Sequence, residues 1–239
     1  MKYVFFCLFI VFALPTIAQN NTQAKGTFFV SGGIGKAVFA GSDLQLSSAA
    51  QNRTISNIKA TDNFFLPQWN GRFGYYVKNQ LAIGLGIHNV QYNYSDSNPL
   101  QLNGTLKNNI QFAHVDLQWN DKLFKTRSSN FAITYLLGLH IGPTISKVSM
   151  NQSSNNVVSA SYLSGFAFAG SVGLRAEFYK RVFISLEQLG GVIAQNNRNF
   201  SNDFLKEMKQ NIGFGQTNVS LGFFLFYKGS DECNTCPKW

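Results

Sequence analysis

Charge is scarce in this chain. Asp, Glu, Lys and Arg make up 13% of its 239 residues, where a water-soluble domain carries about 25%. Such a deficit argues against a molecule wetted on every side. Cysteine is scarcer still. Cys7, Cys233 and Cys236 are the only three, too few for a disulfide-stapled scaffold, and two thiolates in the tail are too few for a structural zinc site. Long apolar runs are missing after the amino terminus, and no later stretch reaches the ~18 consecutive apolar residues of a membrane-spanning helix. No Gly-x-Ser-x-Gly turn, phosphate-binding loop or dinucleotide fingerprint occurs, so the enzyme classes built on those motifs find no support.

Aromatics, by contrast, are abundant at 15% of the chain, and basic residues outnumber acidic ones by 20 to 11. Residues 1–18 read as a secretory signal peptide. Lys2 supplies the positive start, Tyr3–Leu14 the apolar run, Pro15 the break, and Thr16-Ile17-Ala18 the small residues of a cleavage site. A short segment, 19–25, follows. An exported chain does not normally meet nucleic acid, so none is expected as a partner. The net positive charge instead fits loops that face the phosphates of an anionic outer leaflet and its lipopolysaccharide.

From residue 26 onward, apolar alternation with a period of two recurs eight times, over Gly26–Phe39, Asn63–Val77, Leu81–Tyr94, Thr105–Trp119, Asn130–Val148, Val157–Tyr179, Arg181–Ala194 and Asn211–Tyr227. The connectors alternate between tight and long. Val77–Gln80 and Tyr179–Arg181 are tight and Asn120–Asn130 somewhat longer. Ala40–Asp62, Ser95–Gly104, Ser149–Asn156 and Gln195–Gln210 are long and polar. An up-and-down transmembrane barrel has this asymmetry, with short turns on one side and longer loops on the other. The expected fold is therefore all-β, a single eight-stranded antiparallel transmembrane barrel over residues 26–227 with a tail at 228–239. Short turns and both termini lie in the periplasm and the long loops outside. In the third segment the apolar phase changes from Leu81, Ile83, Leu85 and Ile87 to Val90, Tyr92 and Tyr94. A bulge near His88–Val90 would account for that. Phe73, Tyr75, Tyr76, Trp119, Phe178, Tyr179 and Tyr227 cluster at the turn ends, where an interfacial aromatic girdle is expected.

On the opposite phase, Gly and Ala leave room for a narrow barrel to close, and Arg72, Asp116, Gln118, Arg175, Glu177 and Glu187 point inward near the short-turn end. These residues admit an ion path or a catalytic carboxylate pair. A salt-bridged plug is favoured, because buried charges are tolerated only when paired. His88, His114 and His140 fall on consecutive segments and also point inward. Three imidazoles can hold a catalytic type of zinc. Their heights along the barrel read as unequal, however, so a hydrogen-bonded interior is expected, with neither metal nor cofactor. The residues two beyond the histidines are Val90, Asp116 and Gly142. None is the serine that a barrel-embedded lipid hydrolase with a His-x-Ser arrangement needs, and no enzyme activity is expected. Cys233 and Cys236 are expected to close a local disulfide in the periplasm.

The hairpin Gly71-Arg72-Phe73-Gly74-Tyr75-Tyr76-Val77-Lys78-Asn79-Gln80-Leu81-Ala82-Ile83-Gly84-Leu85-Gly86 resembles the "G-Y-F-V … N-L-A-I-G" hairpin of the small, porin-like outer-membrane β-barrel domain proteins of Gram-negative bacteria. The resemblance runs from about Gly26 to Tyr227. It implies an integral outer-membrane protein inserted by the barrel-assembly machinery, and it carries over no functional residue. Val219, Leu221, Phe223, Leu225 and Tyr227 resemble that family's alternating terminal strand. The expected role is structural or surface-interacting, as a monomer with a side-chain-filled lumen. The alternatives are a narrow channel for small or apolar solutes, a lipid-modifying enzyme, and a soluble exported lipocalin-like barrel with its apolar face inward.

Overall fold

The computed structural model describes residues 25–48, 52–60, 68–96, 104–126, 130–152, 155–158, 162–198, 200 and 205–225. None of the described residues is helical, and no helix is long and apolar enough to cross a membrane. The strands are β1 (Phe28–Phe39), β2 (Ser42–Ser47), β3 (Asn52–Ile58), β4 (Gln68–Tyr76), β5 (Leu81–Asp96), β6 (Gly104–Lys125), β7 (Phe131–Gln152), β8 (Asn155–Val158), β9 (Tyr162–Phe178), β10 (Val182–Arg198) and β11 (Glu207–Leu225). Eight of them, β1, β4, β5, β6, β7, β9, β10 and β11, pair in sequence, and β1 closes on β11. Closure is antiparallel from Phe28↔Leu225 to Phe39↔Phe214. A closed ring leaves no unpaired strand edge, as a spanning sheet requires where lipid offers no hydrogen bonds.

The wall is longer than the sequence periodicity predicts. β6 and β7 each run 22 residues, past the ~9–11 that a tilted spanning strand needs. Part of the expected loop Ala40–Asp62 is itself a hairpin. β2 pairs with β11 from Ser47↔Glu207 to Leu44↔Gln210, and β3 pairs with β2. β8 adds to the end of β7. Polar sequence outside the membrane still satisfies its backbone by extending the sheet.

In the half of the barrel nearest the tight turns, the large apolar side chains face outward. Val30, Ile34, Phe73, Ile83, Leu85, Val115, Leu117, Leu139, Ile141, Phe168, Val172, Leu174, Ile184, Leu186, Val219, Leu221 and Phe223 are all exposed. A lipocalin-like barrel would bury this set. Trp119 and Tyr179 are exposed near the turns, and Phe28 packs on Phe73 and Tyr75 with ring centroids 5.7 and 4.6 Å apart. Tyr76 departs from the expected girdle. It is fully buried inside the lumen, because it shares the inward phase of Arg72 and Gly74. Tyr227, Cys233, Cys236 and the signal segment lie outside the described residues.

The expected bulge near His88–Val90 does not form. β5 pairs with β6 in unbroken register from Leu81↔Trp119 to Asp96↔Gly104. Val90, Tyr92 and Tyr94 therefore stay in phase with Ala82 and His88 and point inward, buried. What changes is the polarity of the two faces, not the register. Above His88 the outward positions Gln91, Asn93 and Ser95 are polar and the apolar side chains lie inside. Leu106, Ile110 and Phe112 of β6, Val148 and Met150 of β7, and Met208, Ile212 and Phe214 of β11 repeat the inversion. With Leu44, Ile55 and Ile58 of the β2–β3 hairpin they form one apolar cluster that fills the outer half of the lumen.

The tight turn between β9 and β10 uses Tyr179 and Lys180 at φ of 51° and 57°. Arg181 N–H donates to the Phe178 carbonyl at 3.0 Å. Two consecutive left-handed residues match the twist of the flanking strands in this three-residue connection.

Candidate functional site

Beneath the apolar cluster, the inward face of the barrel turns polar. β6 presents His114 and Asp116, two residues apart and so on one face, and β7 presents His140 directly across from Asp116. His88 reaches in from β5, Arg72 from β4, Ser171 from β9 and Glu187 from β10, and all but the half-buried Arg72 are buried. Close packing is possible because the neighbouring strands carry glycine there. A Cβ on Gly84 would fall 2.6 Å from an Asp116 oxygen, and on Gly86 2.5 Å from the His114 ring. On Gly138 it would fall 2.4 Å from the Ser171 hydroxyl.

The three histidines, expected at unequal heights, meet. The ring centroids of His88 and His114 are 5.0 Å apart, those of His114 and His140 4.9 Å, and those of His88 and His140 6.2 Å. Strands in a closed barrel tilt and their register staggers. His88 is paired with Phe112, two residues from His114. Asp116, two beyond His114, is paired with His140. His140 is paired with Ala169, two from Ser171, and Ser171 with Leu189, two from Glu187. A constant two-residue step thus brings His88, His114, His140, Ser171 and Glu187 to one level.

Within this staircase, His140 Nδ1 lies 3.4 Å from His114 Nδ1, and His114 Nδ1 lies 3.8 Å from Asp116 Oδ1. His140 Nε2 lies 2.9 Å from the Ser171 hydroxyl, which donates to Glu187 Oε1 at 2.6 Å. Arg72 donates to both Glu187 oxygens at 3.2 Å and stands 3.8 Å from Asp116. A second charged unit sits closer to the turns. Arg175 donates to Glu177 Oε1 at 3.0 Å and to the Tyr76 hydroxyl at 2.7 Å. Its guanidinium stands 5.1 Å from the ring centres of both Phe183 and Phe224, which are 4.8 Å from each other, a cation–π contact with each ring. Thr134 donates to Glu177 at 2.9 Å.

Of the residues singled out from the sequence, the fold joins Arg72, Asp116 and Glu187 to the histidines and pairs Arg175 with Glu177 separately. Gln118 is buried beside them, but its amide oxygen accepts no hydrogen bond among the described residues. Ser171 and Thr134 were not singled out, and Tyr76 was expected in the girdle and not in the lumen. Ser171 shares the inward phase of Ala169 and Gly173, so that signal was present. Its contact with His140 crosses strands, and residue spacing along one strand cannot reveal it. The space bounded by Asn70, Arg72, His88, Gln118, Arg175 and Glu187 is about 10 Å³, no more than a water molecule occupies.

No protein-family model and no curated protein sequence matches this chain. Solved structures do. OprG, an outer-membrane protein of Pseudomonas aeruginosa, is 12% identical, with 85% of this chain and 98% of that one covered at a TM-score of 0.51. This chain has the fold of a small outer-membrane β-barrel. Neisserial surface protein A is 12% identical over 83% of this chain and 99% of that one, with a TM-score of 0.44. The attachment invasion locus protein Ail of Yersinia pestis is 10% identical over 84% and 99%, with a TM-score of 0.38.

Proposed function

We propose that this protein resides in the bacterial outer membrane as a sealed barrel and acts through its water-facing crown, without passing a solute and without catalysis. The filling of the lumen carries this reading. The apolar cluster around Tyr92, Leu106, Ile110 and Ile212 blocks the outer half. The Arg72–Glu187 and Arg175–Glu177 pairs block the inner half. An enclosed space of about 10 Å³ between Arg72, His88, Arg175 and Glu187 leaves no room for an acyl chain or a sugar.

The crown is basic. Arg53, Lys59, Lys107, Lys147, Lys206 and Lys209 are exposed on it, against Asp43 and the half-buried Glu207. Glu207 is engaged by Arg198 at 2.7 Å and Lys209 at 3.4 Å. Its carboxyl is held below the usual carboxylate range, chiefly by the hydrogen bond from Arg198. Cations at this height lie beside the phosphates of lipopolysaccharide, which supports a role in anchoring to, or organising, the outer leaflet.

The test is reconstitution of the mature chain into planar bilayers, alongside fractionation of cells. Heat-modifiable migration in the outer-membrane fraction and no unitary conductance are expected. Steady single-channel steps, or recovery of the chain in the soluble periplasm, would overturn the reading.

A further inference from the structure

Among the described residues, Arg72 is the one cation that pairs with both carboxyl groups beside the imidazoles, Asp116 and Glu187. Glu187 has Arg72 and the Ser171 hydroxyl as donors. Asp116 has none. It is 1% exposed, yet neither of its oxygens accepts a hydrogen bond among the described residues. A buried carboxyl group left in that state bears its full desolvation cost. Each such group in a folded protein calls for a partner.

The tautomer of His140 follows from the hydrogen-bond chain. The Glu187 carboxylate only accepts, so the Ser171 hydroxyl must donate to it. Ser171 then accepts from His140 Nε2–H. A neutral imidazole protonated at Nε2 is bare at Nδ1, and His140 Nδ1 is the atom that faces His114 Nδ1 at 3.4 Å. His114 Nε2 has no hydrogen-bonding partner among the described residues, so its polar contacts also lie on the Nδ1 side. Two ring nitrogens and an unsatisfied carboxylate therefore converge, with ligand atoms of His114, Asp116 and His140 within 4.8 Å of one another.

We propose that His114 Nδ1, His140 Nδ1 and the Asp116 carboxylate bind a zinc ion inside the barrel. Zinc takes nitrogen at about 2.0–2.1 Å and carboxylate oxygen at about 2.0–2.2 Å in tetrahedral geometry, which sets neighbouring ligand atoms about 3.3 Å apart. The observed 3.4 Å and 3.8 Å are close to that edge. The contact of His140 Nε2 with Ser171 and Glu187 is the outer-shell hydrogen bond that orients a metal-binding histidine. One zinc ion gives the Asp116 oxygens the close contact that Arg72, at 3.8 Å, does not make. It also ties β6 to β7 through side chains, at the level where the lumen changes from polar to apolar. The apolar cluster above and the Arg175–Glu177 unit below enclose the site, so the metal enters as the barrel closes.

The experiment is to refold the mature chain into detergent with zinc chloride or with chelator, remove free metal, and measure zinc in the heat-modifiable, folded fraction. About one zinc ion per chain is expected after refolding with zinc. The metal should resist later chelator, be lost in folded Asp116→Asn and His140→Gln, and persist in a Cys233→Ser/Cys236→Ser variant. Refolding with cobalt gives a readout that needs no variant to fold. Nitrogen and oxygen ligands should produce the strong visible bands of tetrahedral cobalt without near-ultraviolet thiolate absorption. A folded wild-type barrel that carries no zinc and no such cobalt spectrum would overturn the proposal. Zinc that is lost on removing the cysteines, or kept unchanged in both lumen variants, would do so too.

Discussion

At the scale of single residues, the lumen is governed by pairing. Arg175 is among the largest fully buried side chains, and it holds three kinds of contact at once: a carboxylate, a phenol and two aromatic faces. Removing the carboxylate should leave an uncompensated guanidinium in a closed space. Glu177→Ala is expected to lower the urea-unfolding free energy in lipid vesicles by about 3–5 kcal/mol, and Arg175→Leu/Glu177→Leu should recover much of that loss. If Glu177→Ala unfolds at the wild-type midpoint, the pair is not a structural plug. That charged residues lie inward was readable from period-two alternation alone. Which of them meet was not. Arg72 and Glu187 are 115 residues apart in the chain and come together across the barrel.

At the scale of elements, β2 and β3 are the main departure from expectation. Their sequence is polar enough to read as loop, with apolar residues only at Leu44, Leu46, Ile55 and Ile58. Leu44, Ile55 and Ile58 are buried in the cluster that stops the lumen. The hairpin therefore seals the barrel and extends its wall along β11. Truncating a fully buried leucine costs about 2–5 kcal/mol. Leu44→Ala should lower the thermal midpoint clearly, whereas Gln45→Ala, on the exposed face of the same strand, should leave it within experimental scatter. Equal midpoints for the two variants would mean that the hairpin does not pack on the lumen. The strand boundaries of β5, β6, β7 and β10 were underestimated for a related reason. Sequence alternation fades where both faces of a strand carry polar residues, yet hydrogen bonding carries the strand on.

At the scale of the whole molecule, the barrel is two barrels on one register. The half near the turns is apolar outside and charged within. The crown is more polar outside, and within it joins the apolar cluster to buried Asn108–Gln195 and Ser146–Asn197 hydrogen bonds. β5 crosses from one to the other between Ile87 and Val90 without losing a pairing. Trp119 stands on the outer wall near the turns, partly exposed, so it should sit near the membrane interface. In a chain with Trp69→Phe and Trp239→Phe, lipids brominated close to the headgroup are expected to quench Trp119 more strongly than lipids brominated near the bilayer centre. No quenching by either would place the turn end outside the membrane.

The sequence by itself determined the class, the number of ring strands and the inward phase of its charges. These follow from side-chain periodicity and connector length, which are local properties of a strand. Only the tertiary structure decided the rest. It turned an apparent bulge at His88–Val90 into a change in the polarity of the two faces, because register depends on both strands of a pair. It made a hairpin of a polar connector. It brought His88, His114, His140, Ser171 and Glu187 to one level, because barrel closure imposes a stagger that no single strand encodes.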